Sequence, residues 1–479
     1  MAELQIWQNG SCTVFAFSPP APLHHLLEAA GFPGRQPCGG RGRCGKCTVV
    51  LSGQVSEPNA AETAAGARLA CQAQVLGDAQ VFLPQTVEET IETATEAVSM
   101  GVPMRGAVGA AVDIGSTTVV LRRYDLHTGA ILGQSAMVNP QTAVAADVMG
   151  RIDAAIHGHL DKLQSQIAEA LQTLLQQAGG GADSMVITGN TTMLYLLTGR
   201  NPEPLSHAPF TADTLFDTTY NGAYLPPCMN AFVGADLSCA VLASGMCRQN
   251  KTALLCDIGT NGELALWKNG TLYVTSTAAG PAFEGAGISC GCSSITGAVD
   301  RAWVENGQLC AHTIGDAPAV GLCGSGLIDA IAALLQLEWM DETGALDADS
   351  VTIAPNVTLL QKDIRAVQLA KAAIAAGIAT LLEVSETTEK EIHCLYLAGG
   401  FGSHMNTGSA AAIGLIPQSL ADRVHVLGNA ALAGAAMLLL DQNRIAEIRQ
   451  IANHAVHLNL GGNPSFNEHY MEKMLFPTE

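Results

Sequence analysis

The stretch CGGRGRCGKC at residues 38–47, followed by RLAC at residues 68–71, places four cysteines at a C-x5-C-x2-C spacing plus one later thiol. Three thiolates on a glycine-rich loop and a fourth from a later segment suit one iron–sulfur cluster, because glycines let backbone N–H groups approach its sulfides. A zinc site is the alternative, although structural zinc sites usually show two short-spaced cysteine pairs. The spacing predicts a cluster with the ligands Cys38, Cys44, Cys47 and Cys71.

The residues around this loop predict a small β-rich domain. Residues 4–7 and 13–17 alternate as two strands, and residues 23–30 form a short helical pattern that ends at Gly31. This part of the chain resembles the [2Fe–2S] ferredoxin fold, in the variant with five residues between the first two ligands that adrenodoxin-like members have. We therefore predict a β-grasp ferredoxin domain over residues 1–84.

Length and charge limit the remaining classes of protein. A chain of 479 residues predicts a small domain followed by a larger one, and a net charge of −20 argues against nucleic acid as a partner. The N-terminus lacks the pattern of a signal peptide, and no uncharged apolar run reaches the roughly 18 residues of a membrane span. The cysteines outside the cluster motif lie scattered in apolar surroundings, as in a reducing compartment. We expect a cytoplasmic protein without a membrane partner.

Residues 85–107 are rich in Thr and Glu and are predicted to form a linker. After the linker, an internal repeat appears: AVDIGSTT at 111–118 and LLCDIGTNG at 254–262 each lead into a second strand and a turn. A buried strand that ends in Asp-Ile-Gly can hold Mg²⁺ through its carboxylate, usually by way of water, while the glycine and the hydroxyls that follow contact phosphate oxygens. The two copies predict facing loops that clamp a triphosphate.

Two further stretches complete this pattern. CLYLAGGFG at 394–402 runs from an apolar strand into a glycine pair, which lets backbone lie against adenosine. Residues 235–245 and 426–435 are rich in small residues and predict two connector helices that cross closely. The order of these elements resembles the actin-like ATPase superfamily. We predict an α/β, two-lobed actin-like ATPase fold with duplicated ribonuclease H-like lobes over residues 108–479, the lobes covering roughly 108–250 and 251–479.

A narrower resemblance rests on four motifs: AGPAFEGAGISCG at 279–291, GLCGSGLID at 321–329, DIRAVQLAK at 363–371 and AGGFGS at 398–403. With the ferredoxin in front, the chain resembles the reductive activators of corrinoid proteins. The resemblance implies an ATP-hydrolysing iron–sulfur enzyme that returns one electron to the inactive Co(II) corrinoid of a methyltransferase system and restores Co(I). It also implies an external low-potential electron donor, and it leaves a homodimer open.

The predicted site residues fall into three groups. The four cysteines bind the [2Fe–2S] cluster, and Asp113 and Asp257 organise Mg²⁺ and the attacking water. Glu284 and Asp236 lie in suggestive loops but are better explained as satisfied core carboxylates, and the pair Cys290 and Cys292 is better explained by packing than by a second metal. The residues predicted to contact ATP are Gly115, Ser116, Thr117, Gly259, Thr260 and Asn261 at the phosphates, and Gly399 and Gly400 at adenosine.

Two other functions stay open from the residues alone. One is an ATP-gated electron donor to a different acceptor, like the activators of 2-hydroxyacyl-CoA dehydratases, which hold a [4Fe–4S] cluster between two subunits and have no ferredoxin module. The other is a nucleotide-dependent binding module for corrinoid protein that performs no electron transfer. The cluster type distinguishes the first alternative from a corrinoid activator. Potential-controlled reduction of a Co(II) corrinoid protein distinguishes the second alternative from it.

Overall fold

The N-terminal part of the chain forms a mixed sheet that one short helix covers. The structure, a computed structural model, describes residues 1–8, 11–32, 42, 47–65, 67–83, 99–399 and 405–478. The strand order is β2-β1-β6-β4-β5, with β3 paired to β6. Alternate residues of β6 are buried, so one face of the sheet packs on the core. The elements are β1 (Ala2–Gln8), β2 (Ser11–Phe17), β3 (Ala21–Pro22), α1 (Leu23–Ala29), β4 (Thr48–Val55), α2 (Ala60–Ala65), β5 (Arg68–Leu69) and β6 (Gln74–Phe82).

The first lobe of the larger part is built on a second sheet. Its strand order is β11-β12-β10-β7-β8-β9, in which β7, β8 and β9 form an antiparallel meander and β10 runs parallel to β7. The elements are β7 (Val108–Ile114), β8 (Thr118–Asp125), β9 (Ile131–Val138), α3 (Val148–Ala154), α4 (Leu160–Gln177), β10 (Ser184–Gly189), α5 (Thr191–Thr198), β11 (Thr218–Tyr220), β12 (Ala223–Leu225) and α6 (Ala235–Ser244).

The second lobe repeats this plan with insertions. Its main sheet has the order β22-β21-β13-β14-β15-β23, and two small sheets, β17-β16-β18 and β19-β20, are inserted between β15 and β21. The elements are β13 (Ala253–Ile258), β14 (Gly262–Lys268), β15 (Thr271–Thr277), β16 (Ala298–Glu305), β17 (Gln308–Thr313), β18 (Gly321–Leu322), α7 (Gly324–Gln336), β19 (Ser350–Ala354), β20 (Val357–Leu360), α8 (Gln361–Val384), β21 (Cys394–Ala398), α9 (Thr407–Ala412), β22 (Val424–Gly428), α10 (Ala430–Leu440), α11 (Arg444–His454), β23 (Ala455–His457) and α12 (Pro464–Glu472).

The two main sheets of the larger part share one topology. In each, an antiparallel meander (β7-β8-β9 or β13-β14-β15) is extended by parallel strands on the side of its first strand, β10 and β12 in one lobe and β21 and β22 in the other. The repeated Asp-Ile-Gly motif ends the first strand of each meander, so the two motifs occupy equivalent places. The predicted α/β fold with duplicated ribonuclease H-like lobes is confirmed.

Helices α6 and α10 pack against each other between the two sheets. Their leucines share one buried cluster with residues of β8 and β13. At the crossing, a Cβ on Gly434 would overlap the backbone carbonyl oxygen of Cys239. The small residues of these helices therefore allow the close crossing that the sequence predicts, and this crossing sets how the two lobes meet.

Replacing Gly434 with alanine should destabilise the protein, because the new methyl group meets backbone that can move only if the two helices separate. We expect a loss of about 1–3 kcal/mol in the free energy of unfolding, the usual cost of overpacking. Gly181→Ala is the matched control, since no atom of the described part of the chain lies within 4 Å of its Cβ position. Denaturant unfolding of both variants measures the effect, and an equally stable Gly434→Ala protein would contradict the close crossing.

Helix α8 is, among the residues that the structure describes, the one helix long and apolar enough to span a membrane, and 78% of its most apolar window is buried inside the fold. It therefore has the burial of a core helix.

Part of the predicted linker is fixed against the larger part of the chain. The N–H groups of Gly101 and Met104 donate to the carbonyls of Leu440 and Leu439 at 3.1 and 2.9 Å.

Candidate functional site

The two repeated motifs form tight turns at equivalent strand ends. In the first loop, the N–H of Gly115 donates to the carbonyl of Thr118 at 2.9 Å, and a Cβ on Gly115 would lie 2.8 Å from that oxygen. In the second loop, the N–H of Gly259 donates to the carbonyl of Asn261 at 3.3 Å. Both turns leave hydroxyl-bearing residues beside the strand end, where backbone can approach an anion.

A cleft of about 500 Å³ opens between the lobes and brings both loops together. The volume suits a nucleotide-sized ligand. Of the predicted nucleotide residues, all that lie in the described part of the chain line this cleft, while Gly400 lies outside the described residues. The lining residues include Asp113, Gly115, Ser116, Thr117, Asn190, Asp236, Asp257, Gly259, Thr260, Asn261, Glu263, Glu284, Gly399 and Asn429.

Four carboxylates meet at the floor of the cleft. Burial raises the pKa of Asp113 to about 6, against a hydrogen bond from Asn429, and burial with the charge of Asp113 raises the pKa of Asp257 to about 7. The pKa of Asp236 rises to about 8 through burial and then the charges of Asp113 and Asp257. Burial, followed by the charge of Asp236, raises the pKa of Glu263 well above its usual range. A cation bound among these groups would lower their pKa values and favour the ionised carboxylates.

The same carboxylates fit Mg²⁺ better as water-mediated ligands than as direct ones. Glu263 is 5% exposed, and its Oε1 has no hydrogen-bond partner among the residues that the structure describes. Among the described residues, no three His, Cys, Asp or Glu side chains lie close enough to hold a bare metal ion. Mg²⁺ usually keeps several waters and contacts one or two carboxylates, so a hydrated ion satisfies both observations.

The carboxylate floor predicts a pH dependence of stability. The pKa values of Asp113, Asp257 and Asp236 are raised in the folded protein, so folding keeps protons that the unfolded chain releases. Their contribution to the free energy of unfolding is complete at acid pH and is lost as the pH rises through about 6 to 8. Thermal unfolding of the metal-free protein should show this decline, and Mg²⁺ should raise the midpoint more at the upper end of this range.

Asp236→Asn tests this dependence, because it removes one charge from the floor and should flatten the decline. Asp422→Asn is the control, since the Asp422 side chain is 84% exposed. A metal-free protein that grows more stable over the same pH range would contradict the assignment.

Two asparagines support the cleft, and motif reading did not select them as site residues. Asn429 begins α10, where its side chain accepts from the N–H of Leu432, and its Nδ2 donates to Asp113 Oδ2 at 2.9 Å. Asn190 begins α5 and donates to Ser116 Oγ at 3.2 Å. An Asn directly before a helix is the N-cap signal that could have indicated both residues.

A buried arginine lies beneath the first loop. Arg151 is fully buried, and it donates to the backbone carbonyls of Ser116 and Ala145 and to the Gln141 side chain, all of them neutral acceptors. Burial lowers the pKa of Arg151 to about 9, while the charges of Asp147 and Glu284 raise it. A cation at this place favours an anion in the cleft above it.

The glycine of the third motif lies beside the second carboxylate. Gly399 has a φ of 90°, and a Cβ there would lie 2.7 Å from Asp257 Oδ1. The close approach to Asp257 explains why glycine stands here. Contact of Gly399 and Gly400 with adenosine stays a prediction.

Glu284 and Asp236, which the sequence left between a site role and a core role, both line the cleft. Glu284 accepts hydrogen bonds from Thr117 Oγ1 and Thr260 Oγ1, so it contacts both loops. Both carboxylates therefore lie at the cleft, and a role of each in the site stays a prediction. Cys292 also lines the cleft.

Two of the four predicted cluster ligands lie in the described part of the chain. Cys47 and Cys71 are both buried, and a hydrogen bond with Cys47 lowers the pKa of the Cys71 thiol to about 6, against burial. The turn before Cys71 is held by Glu62, which accepts from Arg68 Nε at 2.9 Å and from the N–H of Leu69 at 3.0 Å. Two adjacent thiols, one of them with a lowered pKa, fit an iron–sulfur cluster. Cys38 and Cys44 lie outside the described residues.

Family models match three parts of the chain. Residues 8–76 match the 2Fe-2S iron-sulfur cluster binding domain. Residues 108–249 match the RACo middle region, and residues 251–479 match the C-terminal domain of RACo, the ASKHA domain. The matches place a cluster-binding domain and a nucleotide-binding fold on one chain.

Individual relatives agree with these matches. Corrinoid activation enzyme RamQ of Eubacterium limosum is 34% identical over 417 residues, which are 77% of this chain and 70% of that protein. The [Co(II) methylated amine-specific corrinoid protein] reductase of Methanosarcina barkeri is 25% identical over 78% of this chain and 77% of that protein. The solved structure of a reductive activator for corrinoid, iron-sulfur protein is 26% identical, covers 99% of this chain and 98% of its own, and gives a TM-score of 0.70. The chain belongs to the family of reductive activators of corrinoid proteins.

Proposed function

We propose that this protein is an ATP-dependent reductive activator that transfers one electron to the Co(II) corrinoid of a methyltransferase corrinoid protein and restores Co(I). The observation that carries the proposal is the presence, on one chain, of a ferredoxin-type cysteine site and a two-lobed cleft with a carboxylate floor. The names of the relatives from Eubacterium limosum and Methanosarcina barkeri supply the class of acceptor. The electron enters from an external low-potential donor.

The roles of the nucleotide residues are part of this proposal. Asp113 and Asp257 hold hydrated Mg²⁺ and orient the water that attacks the terminal phosphate, since both lie at strand ends on the cleft floor. Gly115, Ser116 and Thr117 contact phosphates on one side, and Gly259, Thr260 and Asn261 on the other. Gly399 and Gly400 contact adenosine. Arg151 adds a positive field beneath the first loop.

The cluster residues and the domain arrangement complete the proposal. Cys38, Cys44, Cys47 and Cys71 hold the [2Fe–2S] cluster, which supplies one electron per turnover when it is bound. The ferredoxin domain spans residues 1–84, the linker 85–107 and the ATPase 108–479, with its lobes roughly at 108–250 and 251–479. We place the protein in the cytoplasm, where its thiols stay reduced, and a homodimer is compatible with this assignment.

Co(II)/Co(I) lies at a lower potential than a [2Fe–2S] centre, so nucleotide must drive the transfer. ATP binding can close the two lobes. Closure can favour one state of a bound partner only if the contacts with that partner differ between the open and closed forms. Helices α6 and α10 are the elements through which such closure would act, because they cross between the lobes.

Visible spectroscopy of a Co(II) corrinoid protein tests the function. The reduced protein and ATP are added separately and together, under anaerobic conditions. We expect the Co(II) band to disappear only when both are present. An unchanged band with all the corrinoid partners encoded nearby would overturn the proposal.

A further inference from the structure

Glu284 joins the two phosphate loops across the cleft. Its Oε2 accepts a hydrogen bond from Thr117 Oγ1 at 2.6 Å, and its Oε1 accepts one from Thr260 Oγ1 at 2.8 Å. Thr117 follows β7 in the first lobe and Thr260 follows β13 in the second. One carboxylate therefore holds a hydroxyl from each lobe.

These hydrogen bonds use the only proton that each hydroxyl carries. A threonine hydroxyl has one O–H donor and two acceptor lone pairs. While Thr117 and Thr260 donate to Glu284, each can offer only lone pairs to a ligand, and a phosphate oxygen of bound ATP needs a donor. The two hydroxyls can bind phosphate only after they turn away from the carboxylate.

The charges around Glu284 favour an anion in this place. Arg151 lies buried beneath the first loop, donates to the Ser116 carbonyl, and interacts electrostatically with Glu284. The carboxylate thus lies in a region suited to a negative group. It cannot share that region with a triphosphate without like-charge repulsion.

The backbone that carries Glu284 is firmly packed. Glu284 ends a single 3-10 turn, Pro281–Glu284, in which Phe283 is 2% exposed. The N–H of Gly280 donates to the carbonyl of Thr260 at 2.9 Å, and a Cβ on Gly285 would lie 2.6 Å from the Cys292 carbonyl oxygen. Because both ends of the turn are held, rotation of the Glu284 side chain can release the carboxylate while the backbone stays in place.

We propose that Glu284 is an internal competitor of the nucleotide phosphates. Without nucleotide it holds the two loops together, and the phosphates of an arriving nucleotide replace it as acceptors of the Thr117 and Thr260 protons. The inference rests on the proposed ATP-dependent function and adds a positioning residue to it. As a consequence, binding of the nucleotide changes the hydrogen bonds of both lobes at one side chain, that of Glu284.

Glu284→Gln tests the competition, because glutamine keeps the shape of the side chain and removes its charge. We expect the dissociation constant for Mg²⁺–ATP, measured calorimetrically on the full chain, to fall about tenfold, which corresponds to about 1.4 kcal/mol. Affinity for adenosine, which has no phosphate, should not change. Glu284→Asp keeps the charge but is too short to reach both hydroxyls, and its affinity for ATP should be intermediate.

Two controls make the result specific. In the Thr117→Val, Thr260→Val background, Glu284→Gln should raise ATP affinity less than it does in the parent protein, because the contested protons are gone and only the charge repulsion is relieved. Glu305→Gln, at an exposed carboxylate at the end of β16, should bind ATP like the parent protein. Unchanged or weaker ATP binding by Glu284→Gln, beside normal binding by the parent, overturns this inference and leaves the proposed function standing. Absence of ATP binding by the parent and the variant alike overturns both.

Discussion

Asp257→Ala abolishes ATP-dependent reduction of a Co(II) corrinoid protein, with an expected loss of at least about a hundredfold, the lower range for removal of a group that positions water or a proton. Asp257 lies on the cleft floor beside Asp113, and the charge of Asp113 contributes to its raised pKa. Alanine removes a proposed ligand for hydrated Mg²⁺ and widens the floor. The rate of ATP hydrolysis should fall with the rate of cobalt reduction.

The cluster should survive this change, because Asp257 lies in the second lobe and the cysteines lie in the N-terminal domain. The visible spectrum of Asp257→Ala should therefore match that of the parent protein. Asp422→Ala, at an exposed carboxylate of the same lobe, should keep full activity. Full ATP-dependent activity in Asp257→Ala would show that the carboxylates of the cleft floor are wrongly assigned as ligands of hydrated Mg²⁺.

Cys71→Ser should eliminate cobalt reduction completely, because serine replaces one of the four proposed thiolate ligands and no electron can then be stored. Cys71 is buried, its thiol contacts Cys47, and the turn before it is fixed by Glu62. Iron and sulfide analysis after anaerobic reconstitution should show loss of the cluster. ATP binding should stay within about twofold of the parent value, which is about 0.4 kcal/mol.

Cys12→Ser is the matched control for this variant. Cys12 lies on β2 of the same domain, is exposed, and stands outside the ligand motif. We expect it to reconstitute with a normal spectrum and to reduce cobalt at the parent rate. A normal [2Fe–2S] spectrum in Cys71→Ser would show that the ligand assignment is wrong.

The sequence predicts the elements of the cleft well, because each is encoded locally. The repeated Asp-Ile-Gly motifs lie at equivalent strand ends, and the small residues of α6 and α10 allow the helices to cross. Such signals need only neighbouring residues: an apolar strand, a turn glycine, a helix of small side chains. The family models agree with the resemblance to activators of corrinoid proteins that these motifs gave.

Contacts between residues far apart in the sequence could not be predicted. Asn429 and Asp113 are 316 positions apart, and Glu284 is 167 positions from Thr117. These pairs meet only because two sheets pack around α6 and α10, which no local pattern encodes. Glu263 was missed for a related reason: it pairs with Asp257 across adjacent strands, but alone it reads as an ordinary strand residue.

The alternatives that the residues left open are now less favoured. An activator of the 2-hydroxyacyl-CoA dehydratase type has no ferredoxin module, whereas residues 8–76 match a 2Fe-2S cluster binding domain. A binding module without electron transfer is hard to reconcile with relatives that are named an activation enzyme and a reductase. The remaining question is how strictly electron transfer to cobalt depends on the presence of nucleotide.

Electron paramagnetic resonance of a single sample answers this question most directly, since the reduced cluster and the Co(II) corrinoid both carry an unpaired electron. The reduced protein is mixed with a Co(II) corrinoid protein and a methyl donor that traps Co(I), first without and then with Mg²⁺–ATP. We expect both signals to persist without nucleotide and then to decline together, one for one, after ATP is added. Loss of the Co(II) signal before ATP is present, or with the reduced-cluster signal unchanged, would contradict it.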